Sequence, residues 1–220
     1  MPSLPGYTYV AADAQLYVNL YIGSQMQHAV NGVDVQLRQE TNYPWDGQVK
    51  LTLNPAQATA FTLSLRVPGW VKGQPVPSDL YRYLDDTPGC VVVRINGEPV
   101  AVNEMAGYIH LERTWQAGDT VELVLPMPIR RVVAHPAVTD ATGKVALERG
   151  PIVYAVEAID NDGPVADITL PDDLALIADH RQELLNGVTV ITGADFMAIP
   201  YYAWSHRGAS EMAVWISRDR

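Results

Sequence analysis

A single cysteine, Cys90, stands among the 220 residues, so no intrachain disulfide can form and the redox compartment is left open. Alone, it reads as a small buried hydrophobe in a strand. Phenylalanine is also scarce, with two against 11 tyrosines and five tryptophans. Rings with polar tips suit half-exposed positions and interfaces. Positive charge is in deficit: 15 Lys and Arg face 25 Asp and Glu, for a formal charge of −10. That balance argues against nucleic acid and against an anionic membrane surface, both of which need a positive field. No apolar run reaches the roughly 18 residues that would suggest a membrane-spanning helix. The first six residues, MPSLPG, lack the basic start and apolar stretch of a signal peptide. The expectation is a cytoplasmic protein, or a piece of a longer one.

Familiar catalytic patterns are missing as well. His28, His110, His135, His180 and His206 are scattered, with no His-Glu-x-x-His or Cys-x-x-Cys arrangement to gather a metal. There is no Gly-x-Ser-x-Gly elbow, and Gly143-Lys144-Val145 reads as a hairpin turn rather than a phosphate loop. Sugar hydrolysis commonly uses two carboxylates across the scissile bond, and no spacing here selects two from 25. Asp34 and Glu122 read as solvated charges on the polar faces of strands.

What the chain has is a period of two. In residues 15–22, Leu16, Val18, Leu20 and Ile22 alternate with Tyr17, Asn19 and Tyr21. Val33, Val35 and Leu37 alternate with polar neighbours in 33–39, as do Val49, Leu51 and Leu53 in 48–53, and Phe61, Leu63, Leu65 and Val67 in 59–67. Successive strand side chains face opposite ways, so each run reads as one buried and one wet face, the habit of antiparallel sheets. Asn31-Gly32, Asp46-Gly47, Asn96-Gly97 and Asn186-Gly187 readily take positive φ and mark tight turns.

Residues 68–89, with four prolines and three glycines, read as a long surface loop before strand pattern resumes at 90–95. A boundary is expected near Pro126-Met127-Pro128, with further strands at 129–135, 145–147, 152–156, 188–192 and 212–216. Residues 174–185 fit a helix in part, and better a strand followed by a short turn. The expected architecture is all-β: two consecutive antiparallel β-sandwich domains, residues 1–126 and 127–220.

Two aromatic clusters are the candidate contact sites: Tyr43, Trp45 and Asp46 in the first domain, and Tyr201, Tyr202 and Trp204 in the second. Such rings either pack at a sandwich edge or domain interface, or stack on a ligand, carbohydrate included.

Six segments in order carry a resemblance: 16–24 (LYVNLYIGS), 39–47 (QETNYPWDG), 65–70 (LRVPGW), 118–121 (GDTV), 145–151 (VALERGP) and 199–204 (IPYYAW). Together they resemble the C-terminal part of glycoside hydrolase family 127, the β-L-arabinofuranosidase family. The resemblance implies an (α/α)6 barrel followed by two β-sandwich domains, of which this chain is the latter part. It further implies retaining hydrolysis by a cysteine nucleophile held at a zinc site, with a glutamate acid/base, all in the barrel, where a Cys-Cys-Pro segment lies upstream of this region. No nucleophile is carried onto Cys90, which lacks a cysteine neighbour, and Glu148 in 145–151 reads as structural. The expected role is therefore a non-catalytic accessory region with no cofactor of its own, whose partners are a missing or separate barrel and a second copy in a homodimer. The alternatives are an independent carbohydrate-binding module and one chain of a split glycosidase.

Overall fold

The computed structural model describes residues 5–85 and 89–219. It is all-β apart from one four-residue α-helix, Pro5–Thr8, and short 3-10 turns. The chain forms two compact units: Met1–Lys72 with Gly89–Pro126, and Gly73–Pro88 with Met127–Arg220.

The first unit is a sandwich of two sheets. One has the strand order Tyr9–Ala12, Gln15–Val18, Thr59–Arg66, Tyr108–Trp115, Glu104–Met105. The other runs Ser24–Val30, Val33–Thr41, Gln48–Pro55, Asp119–Val124, Val92–Ile95, Glu98–Pro99. Inward residues of both sheets make one core: Leu16, Leu63, Leu65 and Ile109 from the first meet Leu37, Leu51, Leu53 and Leu123 from the second. A fully buried Leu in such a layer contributes about 1.5–3 kcal/mol. Trp115 is wholly buried, and its indole N–H donates to the Phe61 carbonyl at 3.0 Å, which satisfies its one polar atom. One pairing is parallel, Gln15–Val18 beside Thr59–Arg66.

The alternation expected over residues 15–22 stops early. The strand ends at Val18, and Tyr21 is buried while Ile22 is exposed. Gln39 explains the turn inward. It follows Val35 and Leu37 on the buried face of its strand, and its amide donates to the carbonyls of Leu20 and Ile22 at 3.1 and 2.8 Å. Backbone groups leaving the sheet are thus paired, as burial requires. The Tyr21 hydroxyl donates to Arg66 O at 2.5 Å.

The second unit is one hydrogen-bonded sheet of ten strands. Its main path is Thr169–Pro171, Ile216–Asp219, Lys144–Arg149, Ile152–Glu157, Phe196–Pro200, Val188–Gly193, Ile177–Arg181. Ile129–Ala134 branches from Lys144–Arg149, and Met212–Ala213 from Ile152–Glu157. The run 212–216 therefore divides into two strands with different partners, one of them, Ile216–Asp219, parallel to Thr169–Pro171. Residues 174–185 do contain a strand, Ile177–Arg181, followed by a turn; it is a largely exposed edge.

Residues 68–89 are more than a surface loop. Gly69–Lys72 is a 3-10 turn with Val71 buried, and Tyr81–Tyr83 is a strand paired with Ile129–Ala134 of the second unit. Tyr83 is held there by chemistry distant in sequence. Its hydroxyl donates to Glu148 Oε2 at 2.9 Å, and the Arg130 guanidinium lies 4.1 Å over its ring while pairing Asp85 at 2.8 Å. Glu148 is thus the hydrogen-bond partner of Tyr83. Cys90 departs from the expected buried strand position: it is exposed and lies before the strand Val92–Ile95.

Candidate functional site

The first aromatic segment is the loop joining Val33–Thr41 to Gln48–Pro55. Local hydrogen bonds shape it. Thr41 Oγ1 donates to Gln48 O at 2.6 Å and accepts from Tyr43 N at 2.9 Å, Trp45 N donates to Asn42 O at 2.9 Å, and Asp46 Oδ1 accepts from Gln48 N at 2.8 Å. The Tyr43-Pro44 peptide is cis. Gly47 is absent from the positive-φ residues, unlike Gly32, Gly97 and Gly187. Its glycine is demanded by closeness instead: a Cβ there would stand 1.8 Å from Leu125 O, and Leu125 N donates to Gly47 O at 2.9 Å.

These contacts separate the three candidates. Tyr43 packs against the first core and meets Tyr21 edge-on, ring centroids 5.8 Å apart. Burial lifts its phenol pKa above the ordinary value. Asp46 is occupied in the turn. Trp45 points outward, 52% exposed.

The second segment follows Phe196–Pro200. Tyr201–Ala203 is a 3-10 turn whose Ala203 is buried against Val188, Val190 and Ile199. Tyr201, Tyr202 and Trp204 are all exposed, and the rings of Tyr201 and Trp204 lie 6.4 Å apart at 41°. The structure therefore presents three rings on one short turn.

A charged cluster that no sequence motif marks holds this turn. Ser205, at φ 65°, donates its N–H to Glu157 Oε1 at 2.9 Å. Arg207 Nη2 bonds Glu157 Oε2 at 2.6 Å, and the same guanidinium pairs both oxygens of Asp160, Nη1 to Oδ1 at 2.5 Å. The Asp160 bonds, with those of Glu157, raise the arginine pKa against its desolvation. Glu157 is 1% exposed at the end of its strand, so an unpaired charge there would be costly. The partners are 50 and 47 residues apart, which is why spacing could not reveal them.

Among the described residues no group of three or more His, Cys, Asp or Glu side chains gathers. The Cys90 thiol has one weak bond, to the Val91 carbonyl at 3.9 Å. The donor set of the described residues does not fit a zinc centre, which needs converging ligands.

Residues 15–127 match the profile of the β-L-arabinofuranosidase GH127 middle domain, and residues 129–217 match the glycoside hydrolase family 127 C-terminal domain. The chain belongs to glycoside hydrolase family 127. Family 127 relatives agree in sequence and in fold. The GH127 β-L-arabinofuranosidase of Geobacillus stearothermophilus T6 is 41% identical with a TM-score of 0.86, over 99% of this chain and 36% of its own. A second solved GH127 β-arabinofuranosidase is 39% identical with a TM-score of 0.89, over 99% of this chain and 37% of its own. The curated non-reducing end β-L-arabinofuranosidase of Bifidobacterium longum subsp. longum is 28% identical over 98% of this chain and 35% of its own length. The chain thus corresponds to the middle and C-terminal domains of family 127 and spans about a third of the length of these relatives.

Proposed function

We propose that the two units are the non-catalytic accessory region of a β-L-arabinofuranosidase-like enzyme, bracing a catalytic barrel and contributing to a homodimer. The observation that carries this reading is the match of the two units to the family's middle and C-terminal domains, one after the other. Chemistry supports it. A cysteine nucleophile works as a thiolate, which near neutral pH needs a metal or a positive neighbour. Cys90, the only thiol, has one described bond, to a carbonyl. Zinc and the acid/base glutamate then belong to the barrel. The closely packed sandwich is a rigid support, and loops on such a scaffold are where contacts are made. Trp45 is the leading barrel contact, held outward by a tightly bonded loop.

The test is hydrolysis of p-nitrophenyl β-L-arabinofuranoside by the purified chain, with zinc and a reductant present. No turnover is expected, and sedimentation should report self-association. Turnover that follows the protein through purification and disappears in Cys90→Ala overturns the reading.

A second reading, an independent carbohydrate-binding module, is favoured by one observation: the exposed Tyr201, Tyr202 and Trp204 on their braced turn. Rings presented this way can stack on a sugar face. Absence of heat on calorimetric titration with millimolar arabinosides eliminates it.

A further inference from the structure

The second unit contains a cavity of about 350 Å³ whose charge runs opposite to that of the chain. Arg82, His135, Lys144 and Arg218 line it, with Asp79 the one carboxylate among the described lining residues and Val133 among its apolar walls. The four basic side chains come from three separate segments of the sequence, and backbone bonds tie them together. Arg82 lies on the strand Tyr81–Tyr83, and His135 N donates to Leu80 O at 2.7 Å just before it. Lys144 begins the strand Lys144–Arg149 directly opposite Ser217, and Arg218 N donates to Gly143 O at 2.9 Å.

The donors are largely uncommitted. Among the described residues Arg82 donates only to its neighbour's carbonyl, Tyr83 O at 3.3 Å, and neither it nor Lys144 is ion-paired. Arg218 binds Asp172 through Nε and Nη2, both at 2.6 Å, which leaves Nη1. His135 Nδ1 accepts from Ala137 N at 3.1 Å, so a neutral ring carries its proton on Nε2 and is itself a donor. Even with Asp172 neutralising Arg218, Arg82 and Lys144 outnumber Asp79, in a chain of formal charge −10. Like-signed charge gathered in a concave surface attracts a counter-ion. Guanidinium and ammonium donors match oxyanions in particular. The volume lies within the range of small-molecule sites and accommodates a single sugar ring.

We propose that this cavity binds a small oxyanion ligand, a carboxylate or phosphate group alone or carried on a sugar. The proposal is independent of the accessory role argued above, because it concerns a ligand site and not the barrel. Titration calorimetry on the whole 220-residue chain, at low ionic strength, tests it with three probes: sodium phosphate, galacturonate and neutral galactose. Phosphate or galacturonate should bind with a dissociation constant on the order of 1 mM, weakening as salt is added, while galactose gives no heat. Phosphate binding as tightly as galacturonate identifies the bare oxyanion as the ligand; tighter galacturonate identifies an acidic sugar. The double variant Arg82→Gln/Lys144→Gln should lose about tenfold or more in affinity. Asp79→Asn, which removes the opposing charge, should bind severalfold tighter than the parent, and thermal melting checks that both variants are folded. No heat from either anion overturns the proposal, as does equal binding of galactose or an Asp79→Asn variant that binds no better than the parent.

Discussion

Replacing Arg207 with methionine keeps the apolar stem and removes the charge that holds the Tyr201–Trp204 turn. Two carboxylates would then be stranded. Glu157 is 1% and Asp160 6% exposed at the side chain, and the lost guanidinium supplied bonds to both. Breaking a buried pair by removing one partner typically costs about 3–5 kcal/mol, because the remaining charge is uncompensated. Arg207 is itself 19% exposed, so water screens part of the interaction and the low end, about 3 kcal/mol, is expected. For a unit of this size that lowers the melting temperature by roughly 10 °C. Denaturant unfolding followed by near-ultraviolet circular dichroism measures the loss, and hydrogen exchange over residues 201–211 locates it. The companion variant Arg207→Met/Glu157→Gln/Asp160→Asn has no stranded charge and should recover at least half of the stability. A loss below about 1 kcal/mol in Arg207→Met, or no recovery in the triple variant, would refute the argument that buried charge drives this turn.

Gly47→Ala should destabilise the first unit by about 1–3 kcal/mol or more, since its Cβ would overlap a backbone carbonyl that cannot move aside as a flexible side chain would; an unchanged urea midpoint would disprove the close approach. Trp45→Ala should change folding stability by no more than about 1 kcal/mol while weakening association with a separately produced barrel, as read by a pull-down titration; collapse of the sandwich would make Trp45 core. Glu148 has a pKa raised by burial, against the lowering effects of its Tyr83 bond and of Arg130. A carboxyl with a raised folded pKa contributes stability that is fully present below its unfolded value and is lost as pH rises through the folded one. Glu148→Gln, which does not titrate, should therefore gain on the parent as pH rises from about 4 to 8; parallel stability profiles would contradict this.

Local alternation was enough to identify Gln15–Val18, Val33–Thr41, Gln48–Pro55 and Thr59–Arg66 in the first unit, but not Ser24–Val30 or Tyr108–Trp115. Val35 and Leu37, Leu51 and Leu53, and Phe61, Leu63 and Leu65 are buried as their period of two requires, because facing is a property of the strand's own backbone. Asn31-Gly32, Asn96-Gly97 and Asn186-Gly187 take the positive φ their residue types favour, again a local matter. The order of six segments was sufficient for the family. The candidate site was legible only as composition: the aromatic runs are visible in the sequence, but not which ring turns inward.

Whatever depended on a distant partner was decided by the tertiary structure. Tyr21 rather than Ile22 is buried because Gln39 pairs the carbonyls of the departing chain. Tyr43 packs on Tyr21 while Trp45 is left half exposed, although both read alike as aromatic loop residues. Tyr81–Tyr83 joins the second unit because Ile129–Ala134 offers a free edge and Glu148 a carboxylate, neither nearby in sequence. The Arg207 cluster joins residues about 50 apart, and the basic cavity draws on three separate segments. A strand's two faces are set by bond geometry within a few residues, whereas its sheet neighbours and the partners of its charges are set by long-range packing, which no single stretch of sequence contains.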